Sequence, residues 1–157
     1  MTKRQEFTVL KTYPGFEIRE YKPCVIAEVK SSANYSDAGS SAFGSLFSYI
    51  SKGNNAEQAI AMTAPVITAK RSNNLTESEW FVSFVMPAGS TLADMPLPIN
   101  SKVVLRELGA EICVAASFRG KATTALSAQK IAALRAAAEK QNVALSQEVR
   151  VARFDPP

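Results

Sequence analysis

The sequence predicts an α+β domain in which two similar β-β-α-β units form one antiparallel sheet or distorted barrel with two helices packed on it. Three observations carry this. Short runs of alternating character recur along the chain, separated by turns rich in Gly, Pro and Asn. Two longer segments instead space their apolar residues at helical intervals. The order strand-strand-helix-strand then occurs twice, with Ile18-Arg19-Glu20 repeated in kind as Leu105-Arg106-Glu107. At 157 residues the chain has the length of one domain, read as 1–157 with halves at about 1–90 and 100–157.

Residues 7–10 open as a strand, Tyr13-Pro14-Gly15 turns, and residues 16–21 alternate. Phe16 and Ile18 share one face, and Glu17, Arg19 and Tyr21 the other. After Pro23, residues 24–29 form a strand rich in β-branched side chains. Residues 31–36 are a loop, with Ser36 or Asp37 as the N-cap of a helix. Ala42, Phe43, Leu46, Phe47 and Ile50 keep helical spacing, so Phe43, Leu46, Phe47 and Ile50 are expected to be buried. Gly53 is read as the glycine that stops this helix. Residues 60–68 form a strand that Pro65 confines to an edge or a bulge. Residues 70–78 are a polar connection, 80–86 a strand stopped by Pro87, and 92–99, with Pro96 and Pro98, an irregular linker. The second half reads as strands at 101–108 and 111–119, a helix at 127–141 anchored by Ile131 and Leu134, and a final strand at 143–154.

Composition removes several classes of chemistry. The chain has no histidine, which excludes Ser-His-Asp and Cys-His catalysis, histidine-bound zinc and histidine-ligated haem. Two cysteines, Cys24 and Cys113, are too few for a disulfide scaffold or a four-cysteine metal site. Each sits in an apolar run, as expected of a buried free thiol in a reducing compartment. The first residues lack the apolar segment of a secretory signal, and no stretch approaches the ~18 apolar residues of a membrane span, so a cytoplasmic location is expected. Lys and Arg outnumber Asp and Glu by 18 to 14, a net +4, which suits a partner carrying carboxylates or phosphates. These charges are scattered, with no arginine-rich stripe interleaved with aromatics, so nucleic acid is not expected as a partner.

The candidate binding residues are small ones. Ser41, Gly44, Ser45 and Ser48 form a stripe on the first helix, turned away from its large apolar side chains. Gly or Ser inside a helix costs roughly 0.5–1 kcal/mol relative to Ala, so such a run calls for a reason. A bare face admits close approach by a flat ligand, the other helix or a second copy of the chain. Met62 and Pro65 are added because Thr63-Ala64-Pro65 breaks a strand ladder, and a broken ladder often marks a functional bend. Glu17 and Arg19 are placed to pair, Arg106 to pair with a carboxylate on a neighbouring strand, and Glu77 and Glu79 to serve solubility. No two carboxylates stand in an acid/base relation, so no catalytic residue is assigned and a non-enzyme is expected.

Four segments together resemble the SOUL haem-binding family over almost the whole chain: residues 15–21 (GFEIREY), 49–54 (YISKGN), 60–66 (IAMTAPV) and 152–157 (ARFDPP). The resemblance implies a distorted eight-stranded antiparallel barrel of two pseudo-equivalent halves with two long helices. It also implies a haem or related tetrapyrrole in a groove beside the first helix. Three departures bear on what carries over. Some relatives use a histidine as iron ligand, and this chain has none. Haem-binding relatives carry a basic and a larger apolar residue where Ser41 and Gly44 stand here. Relatives also continue past Asp-Pro-Pro with a last strand; either the barrel lacks that strand here, which would leave an open edge beside residues 149–153, or the chain is truncated.

The function this implies is non-catalytic binding of haem or a related tetrapyrrole, as carrier or buffer, at Ser41, Gly44, Ser45, Ser48, Met62 and Pro65. Attachment is expected to be weak and dominated by packing, with no metal-ligating residue assigned. The alternatives are a small-molecule sensing or protein-interaction module using the same groove, and a hydrolase using a desolvated carboxylate.

Overall fold

In a computed structural model of the chain, residues 3–31, 35–70 and 80–154 are described, those at 35–41 in backbone only. The strands are β1 (Lys3–Arg4), β2 (Phe7–Tyr13), β3 (Phe16–Tyr21), β4 (Cys24–Ser31), β5 (Thr63–Lys70), β6 (Trp80–Val85), β7 (Val104–Leu108), β8 (Glu111–Ala115) and β9 (Val149–Arg153). The helices are α1 (Tyr35–Ile50) and α2 (Thr124–Lys140). Several strands are shorter than the alternation implied: pairing stops at Ala115 rather than 119, and the last strand starts at Val149 rather than 143. Apolar alternation alone does not close a ladder; a partner strand must lie alongside.

Alternation becomes pairing first in the β2–β3 hairpin, whose turn contains Gly15 at φ 86°, a conformation that favours glycine. β8 adds to the other edge of β3, with Arg19 opposite Cys113 and Tyr21 opposite Glu111. This three-stranded sheet has the order β2-β3-β8. The larger sheet has the order β1-β5-β6-β4-β7, with β9 also on β5. It is mixed, because β1 runs parallel to β5 while the other pairs are antiparallel.

β5 is therefore not the edge strand that its proline suggested. β6 lies on one side; on the other, β1 pairs with Thr63 and Ala64, and β9 takes over from Val66. Pro65, which has no N–H to donate, falls between these two partners and inside the register shift with β6. The bulge half of the expectation holds, and the neighbouring residues keep their bonds.

The expected distorted barrel is not found: the strands of the described residues form two separate sheets. The chain passes from the small sheet to the large one at Lys22-Pro23 and back at Gly109-Ala110. Tyr21 still pairs with Glu111, and Cys24 with Leu108, but the ladder is interrupted between them at the proline and glycine. The result is two separate sheets linked by these two crossings. Across their other side, Arg150 of β9 reaches Glu111 of β8 at 2.7 Å.

The main core fills one face of the large sheet. Val25, Ala27, Val29, Trp80, Val82 and Phe84 alternate inward there and meet Ala42, Leu46, Tyr49 and Ile50 of α1. Ile26, Ile67 and Val85 form a smaller cluster on the opposite face, joined by Cys24 and Leu108. α2 begins at an N-cap, where the Thr123 hydroxyl accepts from the Leu126 N–H at 3.1 Å, earlier than the expected Ser127. It packs near β3 and β8, and Arg135 ties it to the carbonyls of Ser146 and Gln147.

Candidate functional site

The end of α1 shapes the surface beside it. Ser48-Tyr49-Ile50 closes the helix, and the left-handed position after it belongs to Lys52, at φ 77°, not to Gly53 as expected. Gly53 is glycine for a different reason. Its N–H donates to the Ser48 carbonyl at 2.8 Å, and a Cβ there would collide with that same carbonyl. Gly53→Ala is therefore expected to cost about 2 kcal/mol by overpacking. Lys52→Gly should instead stabilise by up to about 1 kcal/mol, through relief of the left-handed strain. Paired thermal melts check both.

Asn54 follows, fully buried, with its side chain saturated. Its Nδ2 donates to the carbonyls of Tyr49 at 3.0 Å and Gln58 at 2.9 Å; its Oδ1 accepts from the N–H groups of Ala56 at 3.2 Å and Gln58 at 3.0 Å. This anchors the loop that carries a second chain segment to the helix. Asn55 and Leu97 exchange two hydrogen bonds, at 2.8 and 2.9 Å. Ile99 N–H donates to the Gly53 carbonyl, Tyr49 Oη to the Pro96 carbonyl, and Asn100 Nδ2 to Ser45 Oγ. The linker expected to be irregular is thus fastened along one flank of α1.

Between this segment and the other flank lies a bare strip of the outer face of α1. Gly44 and Ser48 are exposed, one turn apart on the outer face, with Ser45 half-buried beside the linker. No atom lies within 4 Å of a Cβ built at Gly44. On the far flank, Phe43 and Phe47 are not buried beneath the stripe as expected but 39% and 50% exposed. Their rings stack at 5.8 Å, and Phe43 sets its edge on core Phe84 at 5.3 Å. Leu46 and Ile50 take the buried positions, because the inward face of α1 runs through Ala42, Leu46, Tyr49 and Ile50. On the linker side, Leu97 and Ile99 are 63% and 72% exposed. Lys52 and Lys102 are exposed near the helix end and beyond Asn100.

The remaining expected residues separate. Ser41 lies outside the residues whose side chains are described. Met62 is half-buried and packs against the main core together with Ile60, whose N–H bonds to the Ile50 carbonyl. Pro65 is fully buried in β5. Phe43, Phe47, Leu97, Ile99, Lys52 and Lys102 are not among the expected binding residues. The i, i+4 spacing of the two phenylalanines and the apolar Leu-Pro-Ile in a proline-broken linker were the available signals.

Elsewhere the electrostatics are quiet. Arg19 pairs with Glu17 at 2.6 Å as expected, and Arg106 with Glu28 at 2.8 Å. Among the described residues no carboxylate is buried, and no cluster of three or more His, Cys, Asp or Glu is arranged to hold a metal ion. Also among these residues, no helix is long and apolar enough to cross a membrane. Cys24 and Cys113 are half-buried free thiols, both pushed up by burial; Glu111 raises them further and Arg150 pulls the other way. Burial also raises Tyr49. Each folded group holds its proton to higher pH than the unfolded chain does. Their stabilisation is therefore complete below the ordinary thiol value of 9.0 and is lost as pH climbs through the folded values. Melts between about pH 7 and about pH 11 should be level at first and fall above about pH 9. Thiol labelling at neutral pH should be slow.

With this geometry in hand, comparison with known families is decisive. The model for the SOUL heme-binding protein matches residues 2–157. The chain belongs to the SOUL family. No curated protein matches it. The family is one of heme-binding proteins.

Proposed function

We propose that this SOUL-family chain binds haem or a related flat tetrapyrrole against the outer face of α1, as a carrier or buffer and without catalysis. The observation that carries the reading is the stacked, exposed Phe43–Phe47 pair standing beside the bare Gly44–Ser48 surface. Exposed aromatic rings beside a small-residue floor suit a planar apolar ligand, which would cover the rings and lie close to the helix backbone. Leu97 and Ile99 would add apolar contact from the linker side. Lys52 and Lys102, both exposed, would meet the ligand's carboxylates in place of the basic residue absent at Ser41.

The residues fit the macrocycle's plane and its charged edge, and they offer little to iron. The chain has no histidine, and the Tyr49 hydroxyl is committed to Pro96. A bound tetrapyrrole would supply a chromophore and, when metallated, a redox centre; the protein's part is to cover one face and hold the carboxylates. Packing then supplies most of the affinity, so iron-free protoporphyrin should bind about as tightly as haemin.

Titration of haemin followed in the Soret region tests this. Phe47→Ser, at a half-exposed position, should weaken binding about tenfold through loss of the ring's contact, with no change in far-UV circular dichroism. Unchanged affinity in this variant would count against a site on the outer face of α1. A bis-histidine spectrum would contradict the account outright.

A further inference from the structure

The small sheet carries an open cavity at its hairpin end. Thr12, Glu17 and Ala115 are direct cross-strand neighbours, and Val9, Arg19 and Cys113 form another cross-strand row on the same face. An open cavity of about 240 Å³ is lined by Thr12, Glu17, Arg19 and Ser117 together with the hairpin turn. It is smaller than the pockets that take drug-sized ligands.

Arg19 is held in one pose at its inner end. Its Nε donates to Glu17 Oε1 at 2.6 Å, its Nη1 to Tyr21 Oη at 3.0 Å, and its guanidinium lies over the Phe7 ring at 4.2 Å. The side chain is only 14% exposed. Burial works against the cation, but the bonds to Tyr21 and Glu17 outweigh it and keep the group charged. What the pose leaves over is specific. Among the described residues, Arg19 Nη2, Glu17 Oε2 and the hydroxyls of Thr12 and Ser117 have no hydrogen-bond partner. A cation and a carboxylate thus stand side by side in the lining of one cavity.

We propose that this cavity binds a small zwitterion of the α-amino-acid type, its carboxylate on Arg19 Nη2 and the two hydroxyls, its ammonium on Glu17. A simple anion would meet the guanidinium but also the carboxylate beside it, and a simple cation would meet the reverse. A molecule carrying both charges on neighbouring atoms is complemented at both.

The test uses the full chain, ¹⁵N-labelled, titrated with glycine, alanine and serine, and with acetate and methylamine as single-charge controls. The amino acids should shift the amide signals of Gly15, Ala115, Ala116 and Ser117 and the Nε–H signal of Arg19. Acetate and methylamine should bind at least about tenfold more weakly. Glu17→Gln and Arg19→Gln should abolish the response. Ser117→Trp should do the same by filling the cavity from an exposed position outside the ion pair, which keeps the test valid if an ion-pair variant fails to fold. Acetate binding as tightly as alanine, no response to any amino acid, or a response that survives Ser117→Trp would each overturn the proposal.

Discussion

Replacing Asn54 with alanine should cost about 3 kcal/mol and lower the melting temperature by about 6–12 °C. The side chain is fully buried and makes four hydrogen bonds, two given and two received, to backbone groups of Tyr49, Ala56 and Gln58. Alanine removes all four and strands the groups it leaves, some beyond the reach of water. Each such bond is worth about 1 kcal/mol net, and a stranded buried partner adds to the loss. The same loop holds the Leu97–Ile99 segment against α1, so haemin affinity should fall along with stability. Asn54→Asp is the informative control. It retains the acceptor that serves Ala56 and Gln58 but loses both donations, so it should remain destabilised. Thermal melts and a Soret titration on the three proteins check this.

Gly44→Trp should do the opposite: remove haemin binding, at least about tenfold, and leave the fold intact. Gly44 is exposed on the outer face of α1, and nothing stands near a Cβ built there. Tryptophan is a better helix former than glycine by a few tenths of a kcal/mol, so the melting temperature should hold or rise slightly. The indole would occupy the floor between Phe47 and the linker. Gly44→Ala separates the two effects. It should stabilise by about 0.5–1 kcal/mol and preserve binding, because one methyl does not cover the bare helix face. If Gly44→Trp unfolds the chain, the helix is turned differently from the arrangement described.

The strands and helices were largely readable because their signals are local. Alternation in residues 16–21 and 80–85 located strands at once, and the helical spacing around Leu46 and Ile50 located α1. What was not readable depended on partners far along the chain. Pro65 looked like an edge marker, and only the hand-over from β1 to β9 explains its place inside the sheet. Phe43 and Phe47 looked like core because they neighbour core positions. The crossing of α1 over β4 and β6 decides which residues turn inward, and that crossing is not written in helical spacing. Gly53 was recognised as special for the wrong reason, since a stop glycine and a close-approach glycine read alike in sequence. At the site, the Gly44–Ser48 floor was legible from its small side chains. Its flanks were not, because Leu97 and Ile99 reach α1 only through hydrogen bonds to residues more than forty positions away.

The central claim is that a tetrapyrrole lies on the outer face of α1, and chemical-shift mapping tests it most directly. The ¹⁵N-labelled chain is titrated with gallium protoporphyrin, a diamagnetic haem analogue. The expected result is a saturable shift of the Gly44, Ser45 and Ser48 amides and of Leu97, Ile99 and Lys52, with Ala115, Ala116 and Ser117 unmoved. Shifts confined to the β2–β3–β8 sheet, or none at α1 while the Soret band reports binding, would contradict it.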